Sequence, residues 1–499
     1  MTETTTNSPS PQSSDDPPGR RQRFRYGAAL ALIVLISELA PMEITLVYPA
    51  IPHMTANFRT PQLGWVLTMV SLVAVVSLPL VGKLADTFGK KRVMITLAVL
   101  FAAGSLISAT AGSFPVLLIG RALQGTAGGM VAVSYALVRD TFPRRWVPVA
   151  LGTVAAGIGV STLASPFVAG WFIDNHGWQS VFWFMFGYVV LLIPVVAIVV
   201  PESSLRLRQR LDLVGVALLG AAVGLVLVGI SQGSRWGWVS GTTLLTLIGG
   251  AGFLIAFIAW ELRVPTPAID LRLLAGSALR STLLAYLFIG FMIAGNGLLL
   301  PQLLQTPAQA GITYGVGLTA TAFALWTFPS GLLTMVFGPL GGVIARRRGA
   351  RLTLIGAVCA MIIGLLAAAA LPEHRWQIML LSAVFGIGTG LYYASGPNLV
   401  MDAVPAEQSA VGAAMLGVVG QLGNAIAVTV LSAVMAQNIT HRNPTTGRIT
   451  YSDTAFQHSF LVAAVVGLAG LAVAIGMRHG RAPATGGAEP SDVGMRHPA

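Results

Sequence analysis

The sequence predicts an all-α polytopic membrane protein with fourteen membrane-crossing helices. Three observations carry that expectation. Hydrophobic residues make up 55% of the 499-residue chain and charged residues only 10%, against roughly 25% charged in a soluble domain. Too few charges exist to cover a water-facing surface. Fourteen apolar stretches recur, each near the ~20 residues that cross a bilayer as a helix. The scarce basic residues alternate between the gaps as an oriented membrane protein requires.

Residues 1–26 are polar and carry Arg20, Arg21, Arg23 and Arg25 near their end. They read as a disordered tail with a basic flank and not as a cleaved signal peptide, because the segment that follows is long enough to span. Spans are expected near 27–50, 62–82, 93–111, 115–138, 147–171, 181–200 and 212–231. The remaining seven lie near 239–260, 281–304, 313–339, 351–370, 376–397, 409–436 and 458–477, and residues 478–499 read as a second disordered tail. Glycine and proline within these spans are tolerated where neighbouring helices pack closely.

With the N-terminus in the cytoplasm, 24 of the 30 basic residues fall on the cytoplasmic side and five on the other: Arg59, Arg235, Arg375, Arg442 and Arg448. Arg121 alone lies within a span. Both termini are therefore expected in the cytoplasm. The net charge of +12 reflects this topology, and no nucleic-acid partner is expected. Cys359 is the single cysteine, which excludes a disulfide framework and a thiolate metal site; no metal and no cofactor are expected. The loop at about 437–457 is either a small hairpin over the outer mouth or an ordinary connector.

After the second span the chain reads Gly82-Lys83-Leu84-Ala85-Asp86-Thr87-Phe88-Gly89-Lys90-Lys91-Arg92. This G-x-x-x-D-x-x-G-[RK] pattern resembles the signature loop of the major facilitator superfamily. Gly82 and Gly89 would allow a tight loop. Asp86 would sit near the next helix N-terminus and pair with a neighbouring base. The resemblance implies a latch, made of Gly82, Asp86, Gly89, Lys90 and Arg92, that breaks and reforms as access changes. Gly342 to Gly349 repeats the shape 260 positions on, with Arg346 for the acid. That supports two related bundles.

The fourth span contains Gly120-Arg121-Ala122-Leu123-Gln124-Gly125, similar to the superfamily's R-x-x-Q-G signature. A guanidinium in a span costs several kcal/mol unless it is paired or wet. The resemblance implies that Arg121 helps couple proton movement to transport; the alternative is an arginine snorkelling to the interface. In the fifth span Gly159, Ser165, Pro166, Ala169 and Gly170 resemble the glycine-rich antiporter helix, with Ser165 and Ala169 replacing glycines of its G-P-x-x-G-G end.

Glu38 and Glu43 lie in the first span, the second within Met42-Glu43-Ile44-Thr45-Leu46-Val47-Tyr48-Pro49. This is similar to a segment of the 14-helix drug:proton antiporter family, with Glu for Asp. Five residues apart, the two carboxylates do not share a helix face. Each either loads and releases a proton in a low-dielectric cavity or is a structural carboxylate held by a neighbour. Asp212-Leu213-Val214-Gly215, Gln232-Gly233, Glu261-Leu262-Arg263 and Pro267 to Leu273 continue the likeness.

The resemblance implies a major facilitator fold of six, two and six helices. Its parts are a bundle over 27–200, a linker with two extra spans over 201–280 and a second bundle over 281–477. Asn296, Trp326, Tyr392, Tyr393, Asn398, Gln421 and Asn424 are candidate liners of a substrate pathway between the bundles, though each also suits ordinary helix packing. The expected function is not enzymatic. It is proton-coupled multidrug efflux of hydrophobic or cationic compounds by alternating access, conferring antibiotic resistance. The site is the inner membrane of a bacterium, in keeping with Ala- and Gly-rich, Arg-favouring composition. Lipid, protons and small substrates are the expected partners of a monomer. Export of one metabolite, antibiotic or lipid, and proton-coupled uptake, fit the same signatures. A receptor or lipid-modifying enzyme would need a polar cluster at the interface, whereas His53, His176, His374 and His441 are scattered.

Overall fold

A computed structural model describes residues 20–58, 60, 62–143, 146–203, 211–308, 312–372, 374–404, 409–442 and 449–483. Among them thirteen helical segments are long and apolar enough to cross a membrane. The 30-residue helix Val147–His176 is a further long apolar helix, at the place of the fifth expected span.

The first span is segmented into α1 (Arg20–Ser37), α2 (Leu39–Val47), a 3-10 turn (Tyr48–Ala50) and α3 (Ile51–Phe58). Proline explains each break. Pro41 has no N–H for the Ser37 carbonyl, and the helix is interrupted at Glu38. Pro52 leaves the Tyr48 carbonyl free, and Ile51 N–H takes it instead, tightening the turn. The helix begins at Arg20, inside the stretch expected to be a tail; residues 1–19 lie outside the described residues.

Next come α4 (Trp65–Phe88), α5 (Lys90–Ala109), and a fourth span split into α6 (Phe114–Gly125) and α7 (Met130–Thr141) by a 3-10 turn at Thr126–Gly129. α8 (Val147–His176) and α9 (Gln179–Val199) complete the first helical group. α10 (Leu213–Trp236) and α11 (Gly241–Glu261) form a hairpin, with α10 seated on α4. The second group is α12 (Ser277–Gln305), α13 (Ala320–Arg348), α14 (Ala350–Ala369), α15 (Arg375–Met401), α16 (Ser409–Ala436) and α17 (Asp453–Gly476). α10 also packs on α16.

The two groups repeat one another in detail. Gly89 and Gly349 have φ of 109° and 93°, the left-handed region that glycine reaches at no steric cost. Each turns the chain sharply between two helices. Two residues later, Lys91 N–H donates to Glu202 Oε1 at 2.9 Å, and Arg351 N–H donates to the Gly480 carbonyl at 2.9 Å. The Lys91 ammonium donates to the Ala197 carbonyl near the end of α9. The Arg351 guanidinium donates to the Ala474 and Ile475 carbonyls near the end of α17. The chain after the last helix of each group thus closes over the same turn. His479, Gly480 and Arg481 are docked there, although 478–499 reads as a free tail; 484–499 lie outside the described residues.

Two further expectations need correction, and one alternative is decided. The Gly82–Arg92 stretch is helical except at Gly89, because only that position needs a left-handed backbone. Gly82 lies inside α4 with open space around it. The tenth span begins at Ala320 and not at 313. Gly315 (φ 122°) and Gly317 (φ 61°) hold the preceding apolar stretch out of helix, and Thr319 Oγ1 caps α13 through Ala322 N–H. The loop after α16 contains a two-stranded antiparallel hairpin, β1 (Ile439–Arg442) and β2 (Ile449–Tyr451). It is docked by Tyr314 Oη donating to the Tyr451 carbonyl at 2.6 Å.

Between the two groups, several contacts gather on the side away from the chain termini, called the far side here. His53 Nε2 meets Gln305 Oε1 at 2.9 Å, and Gln305 Nε2 donates to the Pro49 carbonyl at 3.2 Å. Thr68 and Thr429 hydroxyls are 3.3 Å apart.

Candidate functional site

The interrupted first and fourth spans bring Glu43 of α2 against Arg121 of α6. Their side chains form an ion pair and are 2% and 0% exposed. Full burial removes the snorkelling alternative for Arg121. The rest of the guanidinium is also engaged. Nε donates to the Val66 carbonyl at 2.8 Å, Nη1 donates to Gln124 Oε1 at 2.7 Å, and the Phe182 ring lies 5.7 Å away. Gln124 in turn donates to Ser105 Oγ at 2.8 Å. Directed bonds to four elements make this a preorganised charge pair. The R-x-x-Q spacing has a direct reason: three residues apart on a helix, both side chains share one face.

The pair borders a small cavity between the helical groups. Tyr48, Ser71 and Leu67 line it from the first group, and Asn424 and Val428 of α16 close it from the second. Asn424 Nδ2 donates to Gln421 Oε1 at 3.1 Å. Of the seven expected pathway residues, Asn424 reaches the charge pair's cavity, with Gln421 beside it. Asn296 precedes Gly297, whose bare backbone admits the Tyr48 ring.

Glu38 has different neighbours, as its angular offset from Glu43 requires. It is 5% exposed. The Ser37 and Ser161 hydroxyls stand beside it, although Ser37 Oγ donates to the Val34 carbonyl. No well-formed hydrogen bond closes on either Glu38 oxygen. α8 approaches closely here only because Gly157 has no Cβ: one would collide with the Glu38 carboxylate and lie 2.8 Å from Val34 Cγ1. Tyr393, from α15, lies within electrostatic reach of Glu38. Tyr393 is 45% exposed. Tyr392 instead stacks on Tyr286 at 4.6 Å between ring centroids, a packing role. Asn398 bonds its own helix at the Ala394 carbonyl. Trp326 lies under the Arg375 guanidinium at 5.7 Å, in the far-side part of α13.

At the other end of α4, Lys90 bridges two carboxylates, Asp86 at 3.1 Å and Asp140 of α7 at 2.7 Å. Ser203 Oγ also donates to Asp140, at 2.5 Å. Asp86 thus pairs with a base in the first turn of the next helix, as expected, but it does not itself accept from that helix's N–H groups. Glu202 does so instead, accepting from Lys91 and Arg92 N–H groups at 2.9 and 3.2 Å. Arg92 exposes its side chain. Nothing local marked Glu202, which lies 110 residues from its partner in sequence.

The glycine-rich helix α8 forms the seam with α13. A Cβ on Gly170 would stand 2.6 Å from Thr321 Cα and 2.7 Å from its N. Ser165 and Ala169 are buried beside Pro166, and Gly159 faces Met335 at ordinary distance. One turn beyond Gly170, Asp174 accepts from Ala320 N–H at 2.9 Å and Thr321 N–H at 2.8 Å. One group thus caps a helix of the other, placing a negative charge on that helix's positive end. Asp174→Ala is expected to weaken the far-side seam by about 1 kcal/mol, whereas Asp174→Asn keeps an acceptor and most of the effect. Spin-label distances across the far side check this: they lengthen in Asp174→Ala and stay near wild type in Asp174→Asn.

Two related helical groups around a buried charge pair define a membrane transporter and not an enzyme. The profile of the Major Facilitator Superfamily matches residues 33–306 and 282–494, and the chain belongs to that family. It is 24% identical over 467 residues to the uncharacterized MFS-type transporter YcnB of Bacillus subtilis (strain 168), covering 92% of this chain and 97% of that one. It is 28% identical over 403 residues to multidrug resistance protein Stp of Mycobacterium tuberculosis, covering 79% and 73% respectively. Among solved structures, an auto-inhibited peptide transporter of the POT family superposes with a TM-score of 0.63 at 15% identity, over 90% of this chain and 97% of that one. At that identity the likeness shows the fold alone.

Proposed function

We propose that this transporter exports hydrophobic or cationic compounds across a bacterial cytoplasmic membrane in exchange for protons. Both termini lie in the cytoplasm, so the far side is extracytoplasmic. The observation that carries the reading is the buried Glu43–Arg121 pair on a cavity that the second helical group closes. A charge pair there senses the position of that group. Protonating Glu43 cancels its attraction for Arg121 and frees Arg121 to seek other acceptors. Glu38, within electrostatic reach of Tyr393, is the second buried carboxylate that can take up a proton. The name of the Mycobacterium tuberculosis relative supports efflux. The far-side seam through Gly170, Asp174 and Gln305 is closed, which suits a state facing the cytoplasm. Alternating access then requires the Asp174 cap to open and the Lys90 bridge to reorganise.

The test is transport of a lipophilic fluorescent cation in proteoliposomes with an imposed pH gradient. Accumulation is expected to follow the gradient in wild type and to fall at least about tenfold in Glu43→Gln, a loss of about 1.4 kcal/mol or more in driving interaction. Equal transport with and without the gradient, unchanged by Glu38→Gln and Glu43→Gln, would sink the proposal.

A further inference from the structure

The inserted hairpin holds a second buried carboxylate pair on the side of the termini, apart from Glu38 and Glu43. Asp212 caps α10 and is 6% exposed; Glu261 ends α11 and is 1% exposed. Their oxygens Asp212 Oδ2 and Glu261 Oε1 are buried with no hydrogen-bond partner. Each lies 2.5 Å from the point where a Cβ on Gly215 would stand, so they are roughly 5 Å apart at most. Two ionised carboxylates this close in a buried setting repel strongly.

The surrounding groups set the charge. Asp212 Oδ1 accepts from Gly215 N–H at 2.8 Å and from Trp260 Nε1–H at 2.9 Å. Glu261 Oε2 accepts more weakly, from Ile269 N–H at 3.3 Å, with Ala268 N–H nearby. Lys83 of α4 acts on both carboxylates, while its ammonium donates to the Thr266 and Pro267 carbonyls at 3.1 and 2.7 Å. α16, the other helix packed on α10, has no ionisable residue between 409 and 436. Close by, Asp270 accepts from Arg272 N–H and the Arg272 guanidinium donates to the Leu262 carbonyl at 3.1 Å; among the described residues the two carboxylates and the Lys83 ammonium then carry a net charge of minus one, which one proton cancels.

We propose that Asp212 and Glu261 form a proton-binding site, with one proton on Glu261 Oε1 donated to Asp212 Oδ2. Asp212 has the two stronger N–H bonds and is the carboxylate; Glu261 is the acid. One O–H···O⁻ bond satisfies both orphaned oxygens and ties the two ends of the hairpin together beside Lys83, three residues before Asp86 in the latch helix. The site is independent of whether transport itself is proton-coupled.

Infrared difference spectroscopy of the full-length protein in lipid vesicles tests it, by subtracting Glu261→Gln from wild type across a pH series. The expected difference contains a carboxylic-acid carbonyl band that moves to lower frequency in heavy water and is lost in the variant. Asp212→Asn removes one of the two negative charges, so Glu261 is expected to ionise beside Lys83 and the same band is expected to vanish; it reads the proton even if Glu261→Gln does not assemble. A difference showing only lost carboxylate bands, and no acid band altered by Asp212→Asn, overturns the proposal. A carboxylate signal that responds to added sodium, potassium or magnesium overturns it in favour of a metal-cation site.

Discussion

Arg121→Ala is expected to abolish transport and to destabilise the protein by about 3–5 kcal/mol, the range for breaking a buried ion pair from one side. The reason is the number of groups that one guanidinium serves. Its removal strands the Glu43 carboxylate, the Val66 carbonyl and Gln124 Oε1 together. Arg121→Lys is expected to recover part of the stability and little of the transport. A compact ammonium can neutralise Glu43 but cannot reproduce the planar fork that reaches the backbone of α4 and Gln124 at once. Thermal unfolding in detergent and counterflow in proteoliposomes check the two effects separately. Wild-type counterflow in Arg121→Lys would show that charge alone is sufficient and that the directed bonds are incidental.

Gly170→Val is expected to shift the balance between far-side-closed and far-side-open states. The added carbon meets the backbone of Thr321 at 2.6–2.7 Å, and backbone cannot swing aside as a flexible side chain does. Overpacking of this kind costs about 1–3 kcal/mol, and here the closed state alone bears the cost. A shift of 2 kcal/mol changes the ratio of states about thirtyfold. Spin labels at Asn175 and Trp376, both exposed on the far side, with Cys359 replaced, are expected to move apart. Transport is expected to slow because the outward-open state becomes too populated. An unchanged distance distribution together with wild-type transport would refute this account of the seam.

These residues differ in how visible they were. Arg121 and Glu43 stood out because an unpaired charge in a span is costly, so each implied a partner. That the two partner one another depended on the proline breaks at Glu38 and Tyr48, which orient α2. The signature resemblance marked Gly82 with Gly89 and Gly342 with Gly349, but it did not separate Gly89 and Gly349, which turn the chain, from Gly82 and Gly342, which lie inside helices. Glu202, Asp174 and the docking of His479 to Arg481 were not legible, because each acts at the end of a helix distant in sequence and carries no local pattern. The stretch before Ala320 misled for a physical reason. Its apolar content suits a span, but Gly315 and Gly317 have positive φ, and a helix must wait for the Thr319 cap. Tyr392 and Trp326 also show why composition cannot assign a pathway: both are aromatic, and both are occupied by packing.

The central claim is that substrate leaves as protons enter through the Glu38 and Glu43 carboxylates. The direct measurement is proton movement itself, followed by a pH-sensitive dye trapped in proteoliposomes when substrate is added on one side without an imposed gradient. Substrate moving down its own gradient is expected to drive protons the opposite way in wild type, and this proton signal is expected to vanish when Glu38 and Glu43 are both replaced by glutamine. Substrate flux with no accompanying proton movement, or proton movement that survives the double replacement, would contradict it.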